Sequence, residues 1–280
     1  MTPWRGLLRR AGLVAAGVWL FLACIYLFLP TRQVNELISG MLADQGLSLS
    51  PEAHKTLLPG LEWHQPVLSS GQGPLLRFDR LVVRLRLLPL LTGRAVIGLT
   101  SALGAGHLDL VYGINGTEAL ELAADGMPLS DLPFFKTVLG ATAGGSLWSK
   151  GKLSRKAGRL SGDLRLEVKQ LAFSGVKLGE FPLPDAANLR CQGMVRVTDG
   201  SSRLESFTLQ GDGIYMRLSG NLPGGANVIT SPLNLTLEIM PKPEFMDNQK
   251  LVFLLLAKFA ASPGVYKVPI RGTLLKPIIL

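Results

Sequence analysis

The chain has 280 residues, enough to bury a sizeable core without disulfides or metals; 47% are apolar and only 7% aromatic. With 32 glycines and 18 prolines the composition suits many short strands joined by tight turns, so the expected class is mainly β. The formal charge of +9 does not build a nucleic-acid interface. Arg77, Arg80, Arg84, Arg86 and Arg94 are interleaved with Leu and Val, and the dense cluster Lys150, Lys152, Arg155, Lys156 and Arg159 has no aromatic platform for bases. A solvated sheet face, or attraction to anionic headgroups, accounts for these cations.

From Ala11 to Pro30 the chain reads AGLVAAGVWLFLACIYLFLP without a charge. About twenty apolar residues at a helical rise of about 1.5 Å span a hydrocarbon core of about 30 Å. Arg5, Arg9 and Arg10 precede the run, so the positive-inside rule keeps residues 1–10 in the cytoplasm and sends everything after Pro30 across. No small-x-small site closes the run, which favours an uncleaved anchor over a signal sequence. Cys24 lies inside it, so no disulfide framework is implied, and Cys24 and Cys191 read as small apolar fillers.

Thr31 is positioned to cap an amphipathic helix over residues 31–46, with Val34, Leu37, Ile38, Met41 and Leu42 at spacings of three and four and Gly46 at its end. It is expected to lie against the body or the bilayer surface. The remainder, 47–280, is expected to be a β domain, because the period then changes to two. In Arg80 to Leu87 the residues Leu81, Val83, Leu85 and Leu87 share one face while Arg80, Arg84 and Arg86 share the other. Alternation returns in Arg159 to Lys169, Leu189 to Val197, Ile214 to Leu218, Leu233 to Ile239 and Tyr266 to Leu274. One dry and one wet face is the pattern of antiparallel sheets. Gly and Pro mark the turns, Pro89, Gly211 and Gly220 among them.

Two further helices are expected, Ser130 to Gly140 and Pro243 to Ala261. The second contains LVFLLLA, which is too short to span a bilayer and reads as a buried helix. Three helices cannot cover so many apolar strand faces, and an uncovered face costs about 25 cal/mol per Å². The sheet is therefore expected to close on itself as a sandwich, a barrel or a trough. Leu81, Val83, Leu85, Leu160, Leu164, Leu166, Leu233, Leu235 and Leu237 would then line either an apolar groove or an ordinary core.

No catalytic, cofactor-binding or metal-binding residue is predicted. His54, His64 and His107 lack a second ligand at metal spacing. Gly151-Lys152 is followed by Leu153 where a phosphate loop needs a hydroxyl residue. Two serine-x-x-lysine matches, at Ser149 and Ser174, lack their supporting motifs. Asp163 and Glu167 alternate with basic neighbours on a wet face, as solvated ion pairs do.

Two stretches carry a resemblance. LRLLPLLTG, ending at Gly93, resembles the strand and Pro-Leu-Leu-x-Gly signature of AsmA-like proteins, and Tyr266 to Pro277, YKVPIRGTLLKP, resembles their closing strand. From Gly158 onward, GRLSGDLRLEVKQLAFSGVKLGEFPLPD, LQGDGIYMRLSGNL, SPLNLTLEI and SPGVYKVPIRGTLLKP resemble, in order, type II secretion system protein N (GspN) of the form found in delta-type proteobacteria. The resemblance implies a curved AsmA-like β fold, a trough or half-barrel, and no catalytic residues. It implies a single-pass protein of the bacterial inner membrane with its body in the periplasm, an accessory of the machine that exports folded proteins. The expected role is a non-enzymatic scaffold docking other secretion components by a sheet edge or the basic face; the alternative is an AsmA-like lipid-binding or lipid-transfer protein holding phospholipid acyl chains.

Overall fold

The computed structural model describes Gly17, Tyr26 and residues 30–56, 59–179, 181–223 and 229–279. The predicted cytoplasmic segment 1–10 lies outside the described residues, as does the predicted anchor 11–30 apart from Gly17, Tyr26 and Pro30. Among the described residues no helix is long and apolar enough to cross a membrane.

Helix α1 runs Thr31–Ala43, and no side chain caps it: Pro30 holds the cap position and Thr31 is already helical, a correction to the predicted cap. Its apolar stripe is split. Ile38 packs toward Trp63 and Leu81, whereas Leu37 and Met41 point outward, 61% and 64% exposed. The buried residue is instead Asn35, whose amide donates to the Ala53 carbonyl at 3.3 Å and accepts from the Ala53 N–H at 3.2 Å. A polar side chain tolerates burial when backbone groups satisfy it.

The strands follow. The first six are β1 (Leu47–Ser50), β2 (His54–Lys55), β3 (Gly60–His64), β4 (Val67–Ser70), β5 (Gly73–Arg77) and β6 (Arg80–Arg86). After the one-turn helix α2 (Leu87–Leu90) come β7 (Val96–Leu103), β8 (Gly106–Gly113) and β9 (Glu118–Pro128). A 3-10 turn, Leu129–Asp131, and α3 (Phe134–Leu139) stand where one helix is predicted over 130–140. Then come β10 (Thr142–Lys156), β11 (Arg159–Ser174), β12 (Lys177–Leu178), β13 (Phe181–Pro182), β14 (Ala186–Thr198), β15 (Ser201–Gly211), β16 (Ile214–Leu222) and β17 (Asn234–Pro241). Helices α4 (Pro243–Asn248) and α5 (Lys250–Leu256), a 3-10 turn, β18 (Ala260–Ser262), β19 (Val265–Gly272) and β20 (Pro277–Ile279) complete the chain.

Fifteen of these strands form one sheet, ordered β18-β19-β17-β16-β15-β14-β11-β10-β9-β8-β7-β6-β3-β2, with β20 also on β19. Neighbours are antiparallel throughout. A three-stranded sheet, β1-β4-β5, and the β12-β13 hairpin stand apart. The end strands of the large sheet do not pair with each other, so of the three expected forms the closed barrel is not made among the described residues. Cover comes instead from small elements between the strands. Leu129, Phe135, Leu178, Phe181, Phe253 and Leu256 pack on the β11–β19 part of the sheet. Phe78 and Leu76 meet Leu103 and Met127, and Ile38 with Leu49 meets Trp63 and Leu81.

The predicted helix 243–261 also needs correction. It breaks at Gln249 (φ −132°, ψ 42°), and residues 260–261 belong to β18. The LVFLLLA run is not a buried helix. Only Phe253 and Leu256 are enclosed, while Leu251, Leu254 and Leu255 are 78%, 71% and 49% exposed. Gly220, expected at a turn, lies inside β16, where a Cβ would collide with the Asn234 carbonyl of β17. Pro89 falls within α2.

Candidate functional site

Strand register carries one dry face across nearly the whole sheet. One row runs Trp63, Leu81, Ser101, Leu108, Ala124, Ser149, Leu166, Gly193, Phe207, Leu218, Leu237 and Val268, each opposite the next. Two residues along each strand, or three along β15 where the register shifts, a second row passes through Val83, Leu99, Leu110, Leu122, Gly151, Leu164, Val195, Leu204, Gly220 and Leu235. Leu85 begins a third, opposite Ile97, which faces Tyr112.

The nine predicted residues therefore lie on one face, in three groups rather than one cluster. Leu81, Val83 and Leu85 are on β6; Leu160, Leu164 and Leu166 are on β11; Leu235 and Leu237 are on β17, with Leu233 just before it. Five strand steps separate β6 from β11, about 24 Å at about 4.8 Å per step. Their burial differs. Leu81, Leu233, Leu235 and Leu237 are between 4% and 7% exposed and belong to closed core. Val83, Leu85, Leu160, Leu164 and Leu166 are only half-buried, as are Ile97, Leu110, Leu122 and Val195 beside them. The middle of the sheet thus presents a partly open apolar strip.

Two glycines shape that strip. A Cβ on Gly151 would stand 2.5 Å from Leu164 Cδ1, and one on Gly193 would stand 2.8 Å from Phe207 Cδ2 and 2.9 Å from Leu166 Cγ. The leucines of β11 therefore lean over their glycine neighbours and lie flat against the sheet. Sequence reasoning missed these glycines and Ser101; their signal is positional, since each occupies a dry-face step where a large apolar residue is expected. Cys191 is fully buried on the same face, and burial pushes its thiol up to about 12, which keeps it protonated and unreactive.

The opposite face is charged. Arg196 bridges Asp163 at 3.1 Å and Glu205 at 2.9 Å, Lys267 meets Glu238 at 3.2 Å, and Lys152 meets Glu118 at 2.9 Å. The Arg80 guanidinium, hydrogen-bonded to Glu62 at 2.6 Å, holds that carboxyl below its ordinary range, and the Lys152 ammonium does the same to Glu118. Lys150 and Arg165 sit directly opposite each other, and among the described residues neither makes an ion pair. They border a shallow depression of about 790 Å³ with Trp148 and Lys169, whose ammonium lies 4.6 Å from the indole ring centre. Among the described residues no three His, Cys, Asp or Glu side chains are grouped to hold a metal ion. No family model, curated protein or solved structure matches the chain.

Proposed function

We propose that this protein is a non-enzymatic, membrane-anchored accessory of the type II secretion system, whose periplasmic β body docks other secretion components. The observation that carries the reading is the architecture. A large antiparallel sheet that is unclosed among the described residues, dry on one side and charged on the other, is the kind of fold that the resemblance to GspN and AsmA-like proteins implies. The charge-free run Ala11 to Pro30 supplies the anchor. The docking surface favoured here is the charged face. Directly opposed like charges are unfavourable, so an acidic partner surface would relieve Lys150 and Arg165. Strand addition is less favoured, because the edge strands β2, β18 and β20 have only two or three residues each and offer little backbone to pair with. Deleting the gene is expected to leave secreted proteins stranded in the periplasm. Normal export to the medium would overturn the reading.

The half-buried strip of the dry face favours a second reading, carriage of phospholipid acyl chains. A photoreactive residue at Leu164, in the full chain in cells, is then expected to form lipid adducts that the same residue at Arg165, on the other face, does not. Equal yields at the two positions would remove this reading and leave the scaffold.

A further inference from the structure

We propose that the turn between β6 and β7, together with the neighbouring turn after β8, is a second membrane contact that seats the body on an anionic phospholipid surface beside its anchor. This rests on the membrane-anchored reading above and adds a site and an orientation to it.

Leu88 and Leu91 at this turn are 80% and 70% exposed, and Ile114 in the adjacent turn is 51% exposed. Isolated exposed leucines are ordinary; three such residues on braced, adjoining turns form a tip. Asn115 ties the turns together, donating to the Gly93 carbonyl at 2.9 Å and accepting from the Ala95 N–H at 2.7 Å. Arg155 donates to the Ile114 carbonyl at 2.8 Å.

The backbone of the leucine turn is largely satisfied within itself. Leu91 N–H donates to Leu88 O, Thr92 N–H to Pro89 O, Gly93 N–H to Leu90 O, and the Thr92 hydroxyl also to Pro89 O. Such a turn can enter an apolar medium without stranding many polar groups, which an open loop cannot do. Cations surround it: Arg84, Arg86 and Arg94 are all exposed. The acid nearest in register, Glu118, is already paired with Lys152 at 2.9 Å. Leucines at a tip with arginines around them match an interface in which apolar groups reach the acyl boundary and cations meet phosphate.

One residue of the proposed anchor is held close by. Tyr26, within the charge-free run, has its hydroxyl 2.8 Å from the carbonyls of both Thr56 and Gly60, which share its one proton, and Lys55 donates to the Tyr26 carbonyl at 2.8 Å. Gly60 stands opposite Arg84, and Leu85 N–H donates to Pro59 O at 2.9 Å. The leucine turn begins three residues beyond Arg84, about 10 Å along the strand. A bilayer that holds the anchor is therefore within reach of Leu88 and Leu91, and the half-buried strip starts at Leu85 beside them.

The test uses the full chain in vesicles of phosphatidylglycerol and phosphatidylcholine, with an environment-sensitive fluorophore on Leu88→Cys, then on Leu91→Cys, in a Cys24→Ser background; Cys191 is too buried to label. Leu254→Cys, equally exposed beside the far strand β19, is the control. The expected result is blue-shifted emission and strong quenching by acyl-chain nitroxides at both turn positions and neither at Leu254, weakened in phosphatidylcholine alone. Water-like emission at Leu88 and Leu91 while the chain resists alkaline extraction overturns the contact but leaves the anchored reading, and turns the leucines over to a protein partner. Extraction of the chain itself overturns both.

Discussion

Ser101 faces the dry side of β7 between Leu81 and Leu108, and its Oγ is buried with no hydrogen-bond partner among the described residues. Ser149, on the same row, escapes that cost by donating to the Arg165 carbonyl at 2.9 Å. Ser101→Ala removes a desolvated hydroxyl and is expected to raise stability by about 1 kcal/mol in urea unfolding; Ser149→Ala is expected to lower it. A loss from Ser101→Ala would place a partner on that hydroxyl. Glu62 gives a pH prediction. Its folded-state carboxyl is held below the ordinary range, first by the hydrogen bond from Arg80. The stabilisation is therefore present at neutral pH and is lost as the pH falls below about 4, through the folded-state value. Melting temperature in Glu62→Gln should accordingly fall less steeply on acidification than in the parent chain. Identical slopes would show that the pair contributes nothing, as many exposed pairs do.

Elements were legible in the sequence where the two faces differ in chemistry, and obscure where they do not. β6, apart from Val82, and β11 alternate Leu or Val with Arg, Asp and Lys, and β17 alternates Leu with Asn, Thr and Glu, so period and face follow, although β11 runs on to Ser174, five residues past the predicted alternation. β7 carries Gly98, Thr100 and Ala102 on its wet side, too weakly polar to show a period, and β10 carries Ser149 and Gly151 on its dry side. The candidate site was legible to the same degree. The face of each predicted leucine followed from parity, but which of them would be covered depended on where the intervening turns and hairpins pack, which no local pattern encodes. α5 shows the limit most clearly: seven residues with five Leu or Val read as core, yet the helix buries one side only. Replacing both Leu251 and Leu254 with Gln should leave the unfolding midpoint nearly unchanged, while Phe253→Ala, which empties the contact with Tyr266, should cost about 3 to 5 kcal/mol. Comparable losses from the two variants would show α5 to be enclosed after all.

For the molecule as a whole, the strip and the charged face belong to one arrangement, and the proposed anchor is read with them. A sheet that does not close among the described residues needs cover for its dry side, and the chain supplies it from α1, the three-stranded sheet, α3, the β12-β13 hairpin and α5, while the middle of β6 to β14 stays half-open. Under the proposal, the anchor brings the Leu85 end of that open stretch near a bilayer and leaves the Lys150 and Arg165 part of the charged face free for proteins of the periplasm. The measurement that tests this most directly is protease digestion of intact spheroplasts carrying the chain. Residues 47–280 are expected to be degraded from outside while cytoplasmic markers stay whole. Protection of the body until the membrane is lysed would contradict the orientation, and with it the proposed dockings to secretion partners and to the periplasmic leaflet.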